Sequence, residues 1–458
     1  MALVTPVVPP TRRNVELLLL LLAIAVATGA YALAGIGTSG TVPPDMLANA
    51  GGLSLLALAV HVVLRLRAPY ADPVVLPIAT AINGLGLVVI HRLDLAEGRD
   101  FAESLAARQL VWTAVGVAAA IAVLLLVRDH RGLARYTYTA MAAGLVLLLL
   151  PLLPFVGREI FGARIWIAIG PLSFQPGEIA KILLALFFAG YLVTARDSLS
   201  LVGRKVLFLQ LPRGRDLGPI LIAWLLSLGV LVFERDLGTS LLFFGLFVAL
   251  LYVATERTSW IVIGLLLFAA GAFTAWTLFS HVQTRVSIWL HPFEGENPSG
   301  GAFQLLQGLY GMADGGLLGT GLGLGRPDIV PFAESDFIVA AIGEELGLTG
   351  LFALLLLYAL LVERGLRTAI GVRDGFGKLL AAGLAFSIAL QVFVVVGGVT
   401  RVIPLTGLTT PFLAYGGSSL VSNWIVVALL LRISDSARRP GPEVAAVEPV
   451  ADEQVVAA

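Results

Sequence analysis

Glu178 and Lys181 stand three residues apart, a spacing that puts a carboxylate and an ammonium on one face of a helix, where each can neutralise the other. Ionisable groups in a bilayer cost roughly 2.5–3.5 kcal/mol each at mid-helix, so they need a partner, water or a job. An interfacial ion pair, with Lys181 snorkelling to the headgroups, fits the spacing as well as a chemical role does. Glu234-Arg235-Asp236, followed by Leu237-Gly238-Thr239-Ser240, places three charges in what reads as a short hairpin tip. Glu334, Asp336, Glu344 and Glu345 gather four acids at the start of another helix; the macrodipole favours acids there, but four exceed what capping needs. Pro404-Leu405-Thr406-Gly407 and the run from Pro411 to Ser419 are too rich in Pro and Gly to stay helical. Within a membrane such backbone survives only when packed in protein or lining a cavity, which marks a re-entrant or lumen-lining segment.

The elements that must carry these groups are transmembrane helices. Of the 458 residues, 58% are hydrophobic and 13% charged, about half the charge of an average soluble domain. The apolar residues fall in runs of about 20, the length that crosses a bilayer core of about 30 Å as a helix. Twelve helices are expected, near 15–36, 49–65, 74–92, 107–127, 136–155, 178–195, 217–233, 237–254, 259–279, 337–362, 377–399 and 412–432. The fold class is therefore an all-α polytopic membrane protein with a large extracytoplasmic loop, 280–336, between helices nine and ten. That loop carries eleven glycines, His281, His291, Glu294 and Glu296, and a loop so long is usually functional. With no cysteine, disulfides, thiolate metal sites and a cysteine nucleophile are excluded.

Net charge is zero, so only charge placement informs, and nothing points to nucleic acid. Segments on one side of the twelve spans hold 20 Lys and Arg, those on the other side 9, which puts both termini in the cytoplasm. The first apolar run follows Arg12 and Arg13 and resembles a signal peptide. It is longer than a signal core, and cleavage would break the charge alternation, so an uncleaved anchor is expected. Residues 434–458 read as a disordered cytoplasmic tail.

The order of motifs resembles the SEDS family, the RodA/FtsW/SpoVE proteins. Gly162-Ala163-Arg164-Ile165-Trp166 is similar to a G-x-R-W element, and Phe174-Gln175-Pro176-Gly177-Glu178 with Lys181 to F-Q-P-S-E-x-x-K, Gly177 replacing Ser. Asp236-Leu237-Gly238-Thr239-Ser240 resembles P-D-L-G-T-S with Arg235 for the proline. Glu334-Ser335-Asp336-Phe337-Ile338 and Gly343-Glu344-Glu345-Leu346-Gly347 resemble H/S-T-D-F-I and G-E-E-L-G, and Pro411 to Ser419 resembles P-F-x-S-Y-G-G-S-S with Ala414 for Ser. The resemblance covers residues 72–433, leaving 1–71 as an N-terminal extension with two additional helices.

The resemblance implies a peptidoglycan glycosyltransferase of the bacterial plasma membrane, its active site facing outside, polymerising lipid II with inversion and release of undecaprenyl diphosphate for cell elongation, shape or division. It implies a class B penicillin-binding protein and other elongation or division membrane proteins as partners. No cofactor is certain, and a divalent cation is left open. Arg164, Lys181 and Arg401 are the candidate diphosphate ligands, with Glu178 and Asp236 holding such cations; Trp166, Asn297, Gln304, Glu334, Asp336, Tyr415 and Ser418 complete the expected substrate site. The family's base is an aspartate in D-P-x-G-x-G-Y-Q, where this chain has Asn297-Pro298-Ser299-Gly300-Gly301-Ala302-Phe303-Gln304. A carboxamide takes no proton, so Glu296 is the expected base, then Glu294, with Asp336 as the alternative. A lipid II flippase or other transporter and a silent scaffold of the cell-wall complex are the competing readings; only an enzyme needs a carboxylate near position 297.

Overall fold

The computed structural model describes residues 11–99, 103–160, 163–169, 172–200, 205–206, 209–210, 218–294 and 299–440. The expected residues Glu296 and Asn297, and the tail beyond 440, lie outside them. The chain is a helical bundle. In order come α1 (Arg13–Ser39), α2 (Met46–Arg67), α3 (Val75–Ala96), α4 (Leu105–Leu126), α5 (Thr137–Leu149), α6 (Gly177–Ser200), α7 (Gly218–Phe233), α8 (Leu237–Thr255) and α9 (Thr258–Leu278). After these follow α10 (Ser280–Leu290), α11 (Phe303–Gly315), α12 (Ile338–Glu345), α13 (Gly347–Gly371), α14 (Gly375–Val399) and α15 (Gly417–Arg438).

Among the described residues, eleven helical segments are long and apolar enough to cross a membrane. The seventh expected span, 217–233, corresponds to α7, which has 16 described residues and so reaches only about 24 Å. Helix starts are set locally: Ser104, Asp236 and Asp374 each precede a helix and accept the backbone N–H three residues on, from Ala107, Thr239 and Gly377. α3 and α15 are nearly enclosed, whereas α1, α9 and α13 keep most of their surface for lipid.

Three expectations change. The expected loop 280–336 contains two helices, α10 and α11. The tenth span is broken: α12 ends at Glu345 and α13 begins at Gly347, whose φ of +65° no β-carbon-bearing residue adopts without strain. The twelfth span starts at Gly417 rather than near 412, because residues 411–415 are turns, and it runs to Arg438, six residues past its expected end. Within this helical fold lie two small sheets. β1 (Gly157–Ile160), β2 (Ala163–Ile169) and β3 (Leu172–Phe174) form an antiparallel sheet in that order, with Arg158 opposite Trp166 and Ile167 opposite Phe174. A second hairpin joins β4 (Lys205–Val206) to β5 (Leu209–Gln210).

Candidate active site

All five motifs meet at one end of the bundle, joined by backbone hydrogen bonds. The Arg164 N–H donates to the Glu234 carbonyl at 3.3 Å, tying the β2 element to the turn before α8. The Gln175 N–H donates to Ser418 Oγ at 2.8 Å, tying the start of α6 to that of α15. The Tyr415 N–H donates to the Glu334 carbonyl at 2.7 Å, and Tyr415 hydrogen-bonds Arg108 through its side chain. Gln109 donates to the Ala414 carbonyl at 3.0 Å. Arg235, Phe332, Arg401 and Phe412 hold left-handed φ values of 54–63° in these segments, strain of a kind that the surrounding packing must impose.

At this end a cation lies within electrostatic reach of two carboxylates. Arg285, on α10, donates from Nη1 to the Leu405 carbonyl at 2.7 Å and is charge-coupled to both Asp236 and Asp336. Gly407 backs this arrangement: a β-carbon there would sit 3.8 Å from Arg285 Nη2 and 3.9 Å from Asp336 Oδ2. Asp236 caps α8, accepting from Thr239 N at 2.9 Å and Thr239 Oγ1 at 2.6 Å. Burial raises the Asp236 pKa against these hydrogen bonds and Arg285, and burial with the nearby Asp236 charge raises Glu234 to about 8. Asp336 is only half-buried at its surface, yet surrounding protein pushes its pKa up to about 6, with Arg285 and the Ser335 hydrogen bond pulling the other way. Burial, then Arg235 and Arg285, lower His281, which favours its neutral form.

Each candidate diphosphate cation has partners within the protein. Lys181 does not snorkel: its Nζ lies 2.6 Å from Glu178 Oε2 and donates to Gln391 Oε1 at 3.0 Å, with both charged side chains at most 6% exposed. Gln391 donates onward to the Thr409 carbonyl at 2.9 Å, and Ser422 Oγ to the Glu178 carbonyl at 2.7 Å. Glu178 thus holds the Lys181 ammonium, and Asp236 lies within electrostatic reach of Arg285. Arg164 is exposed on the sheet beside Glu159, at 2.9 Å. Arg401 forks onto the Trp289 and Leu290 carbonyls at 2.8 and 3.2 Å, and the Trp289 indole N–H donates back to the Arg401 carbonyl at 3.1 Å, which is an anchor for the end of α10. Gln304 likewise serves the backbone, donating to the Pro331 carbonyl at 2.6 Å. Glu294 is exposed beside His291 at 3.1 Å. Glu344 and Glu345 are buried at the end of α12, where Glu345 pairs with Arg92 at 2.6 Å and Glu344 accepts the Arg326 N–H. Arg285 was missed from sequence because it looks like any loop charge; its spacing to the expected carboxylates carries no local signal.

Residues 73–439 match the family model for FtsW, RodA and SpoVE, described as cell cycle protein. The chain is 52% identical over 442 residues to the peptidoglycan glycosyltransferase RodA of Mycobacterium tuberculosis, covering 95% of this chain and 93% of that one. It is 34% identical over 337 residues to the stage V sporulation protein E of Bacillus subtilis, covering 73% and 87%. Among solved structures it is similar to a chain of a peptidoglycan synthase complex described as coordinating polymerization and crosslinking (TM-score 0.65, 30% identity, 80% of this chain and 98% of that one). It is also similar to the rod shape determining protein RodA of Thermus thermophilus (TM-score 0.55, 27% identity, 80% and 96%).

Proposed function

The chain belongs to the FtsW/RodA/SpoVE family, and from that premise we propose that it is a peptidoglycan glycosyltransferase that polymerises lipid II outside the plasma membrane. The observation that carries this reading is Arg285 and Asp336 meeting at Gly407, with Asp236 in electrostatic reach of the same cation, where the five motifs converge. Polymerisation needs a base to take the proton from the acceptor's GlcNAc 4-hydroxyl as its oxygen attacks the donor's anomeric carbon. The bond from that carbon to the diphosphate breaks with inversion, and undecaprenyl diphosphate leaves with the electron pair. A carboxylate with a pKa of about 6 is deprotonated at neutral pH yet basic enough to accept the proton, which suits Asp336. Arg285 is placed to hold that carboxylate and to favour charge growing on the departing diphosphate.

Both termini are cytoplasmic in this reading, and the partner is a class B penicillin-binding transpeptidase; the similarity to a synthase complex that couples polymerisation to crosslinking supports it. Residues 1–71 are an addition of two helices to the shared core, consistent with a family match that begins at 73.

The test is glycan formation from labelled lipid II by the purified protein, with and without its partner, comparing wild type with Asp336→Asn, Glu296→Gln, Glu294→Gln and Asn297→Asp. Loss in Asp336→Asn, with Glu296→Gln and Glu294→Gln active, assigns the base to Asp336; loss in Glu296→Gln alone moves it to Glu296. If wild type makes no glycan even with its partner while Asn297→Asp does, the scaffold or flippase reading replaces this one.

A further inference from the structure

α1 lies outside the residues matched to the family, yet it touches the catalytic end of the bundle through bare backbone. A β-carbon on Gly37 would sit 2.1 Å from the Leu322 carbonyl oxygen and 3.0 Å from Gly323 Cα. Gly323 has φ +80°, and a β-carbon there would sit 2.4 Å from the Ala34 carbonyl oxygen and 2.7 Å from the Thr38 nitrogen. Neither residue leaves room for a side chain, so helix and loop are in main-chain contact.

The same loop is fixed from behind by the end of α12. The Thr320 N–H donates to the Glu344 carbonyl at 2.9 Å and the Gly321 N–H to the Glu345 carbonyl at 3.0 Å. The Gly323 N–H donates to Glu345 Oε2 at 3.0 Å. Arg92 closes the set, giving Nε to Glu345 Oε1 and Nη2 to the Gly325 carbonyl, each at 2.6 Å. α12 is eight buried residues, about 12 Å long, and Asp336 lies two residues before its start. A helix that short and that closely packed moves as one body, so displacing the loop displaces Asp336.

We infer that α1 is a strut that seats the loop 316–325 against Glu345 and so sets the position of Asp336, with Gly37 and Gly323 as positioning residues. The inference rests on the reading of Asp336 as a group that acts in polymerisation. A helix serving only as a membrane anchor needs an apolar surface, and Gly29 on the same helix, with nothing within 4 Å of its added β-carbon, meets that need without touching the loop.

The experiment compares full-length Gly37→Leu with Gly29→Leu, each purified and assayed with its partner for glycan formation from lipid II. Misplacing a catalytic group by about 1 Å costs on the order of 100-fold. Gly37→Leu is expected to lower kcat by about tenfold or more with little change in KM, and to move the acid limb of the pH profile, which a purely structural defect leaves in place. Gly29→Leu is expected to match wild type. A Gly37→Leu protein with wild-type kcat and pH profile overturns the strut; wild type without product sinks the polymerase reading instead. Because the chain has no cysteine, Thr38→Cys with Leu322→Cys gives an arm that does not depend on Gly37→Leu folding. Closure of that disulfide with activity retained supports a fixed strut, and failure to close, or closure that abolishes activity, overturns it.

Discussion

The ammonium of Lys181 contacts the carboxylate of Glu178 at 2.6 Å one helical turn away, and Gln391 from α14 completes its shell at 3.0 Å. Removing one member of a buried pair leaves the other charge uncompensated, typically at about 3–5 kcal/mol, whereas replacing both is far milder. Lys181→Met and Glu178→Gln should each lower the melting temperature in detergent sharply, and the double variant should recover much of the loss. Equal, additive losses would show that the two side chains act independently.

Asp336 sets a pH dependence whose sign differs for activity and stability. Its carboxyl is pushed from an ordinary 3.8 to about 6, so the folded protein favours the protonated acid. The base form, and with it polymerisation, should be full above about pH 7 and fall as pH drops through 6. Asp336→Asn should lose on the order of 100-fold or more of the rate. Stability runs the other way: folding gains from proton binding below pH 6, and that gain fades as pH rises through it. Asp336→Asn should therefore melt higher than wild type at pH 7.5, with the difference gone near pH 4.

Arg285 opposes the upward shift of Asp336, so its removal should raise the acid limb of the rate profile. Arg285→Ala should need a higher pH for half-maximal rate than wild type. Arg285→Lys should keep the limb nearer its place while losing rate, because an ammonium keeps the charge but not the guanidinium fork. An unmoved limb in Arg285→Ala would detach the guanidinium from Asp336.

Gly86 lies where α3 passes the Pro411–Ser419 turn, and a β-carbon there would meet the Leu413 carbonyl oxygen at 2.3 Å. Gly86→Ala should cost about 1–3 kcal/mol by overpacking and lower glycan output with it. Gly51→Ala, in open space on α2, should change neither. Thermal melts of the two variants side by side check this.

Much of the bundle was legible because a membrane span needs a run of apolar residues whatever it packs against; α1, α2, α4, α9 and α14 follow from run length alone. The break at Gly347 was not, since Leu346 and Gly347 interrupt no apolar run and the turn shows only in φ. β1 and β3 are too short for alternation to stand out, and β2 (Ala163–Ile169) is apolar at every position but Arg164, so it shows none. In the site, Asp236, Asp336, Glu178 and Lys181 were found as costly charges near spans. Arg285 was hidden because its partner carbonyl, Leu405, is 120 residues away, and the burial of Lys181 because Gln391 is 210 residues away.

α15 brings Ser418, Asn423, Arg432 and Asp435 into the bundle, all buried, and the helices it packs against precede it in the chain. A segment so polar gains little by entering lipid alone. It touches α3, α4, α6, α13 and α14, and these must already be gathered for its polar groups to find partners. Assembly therefore gathers those helices before α15 docks among them, and the Tyr415 turn just before α15 meets Glu334 with that docking. The same docking that buries the polar groups of α15 also closes this end of the bundle.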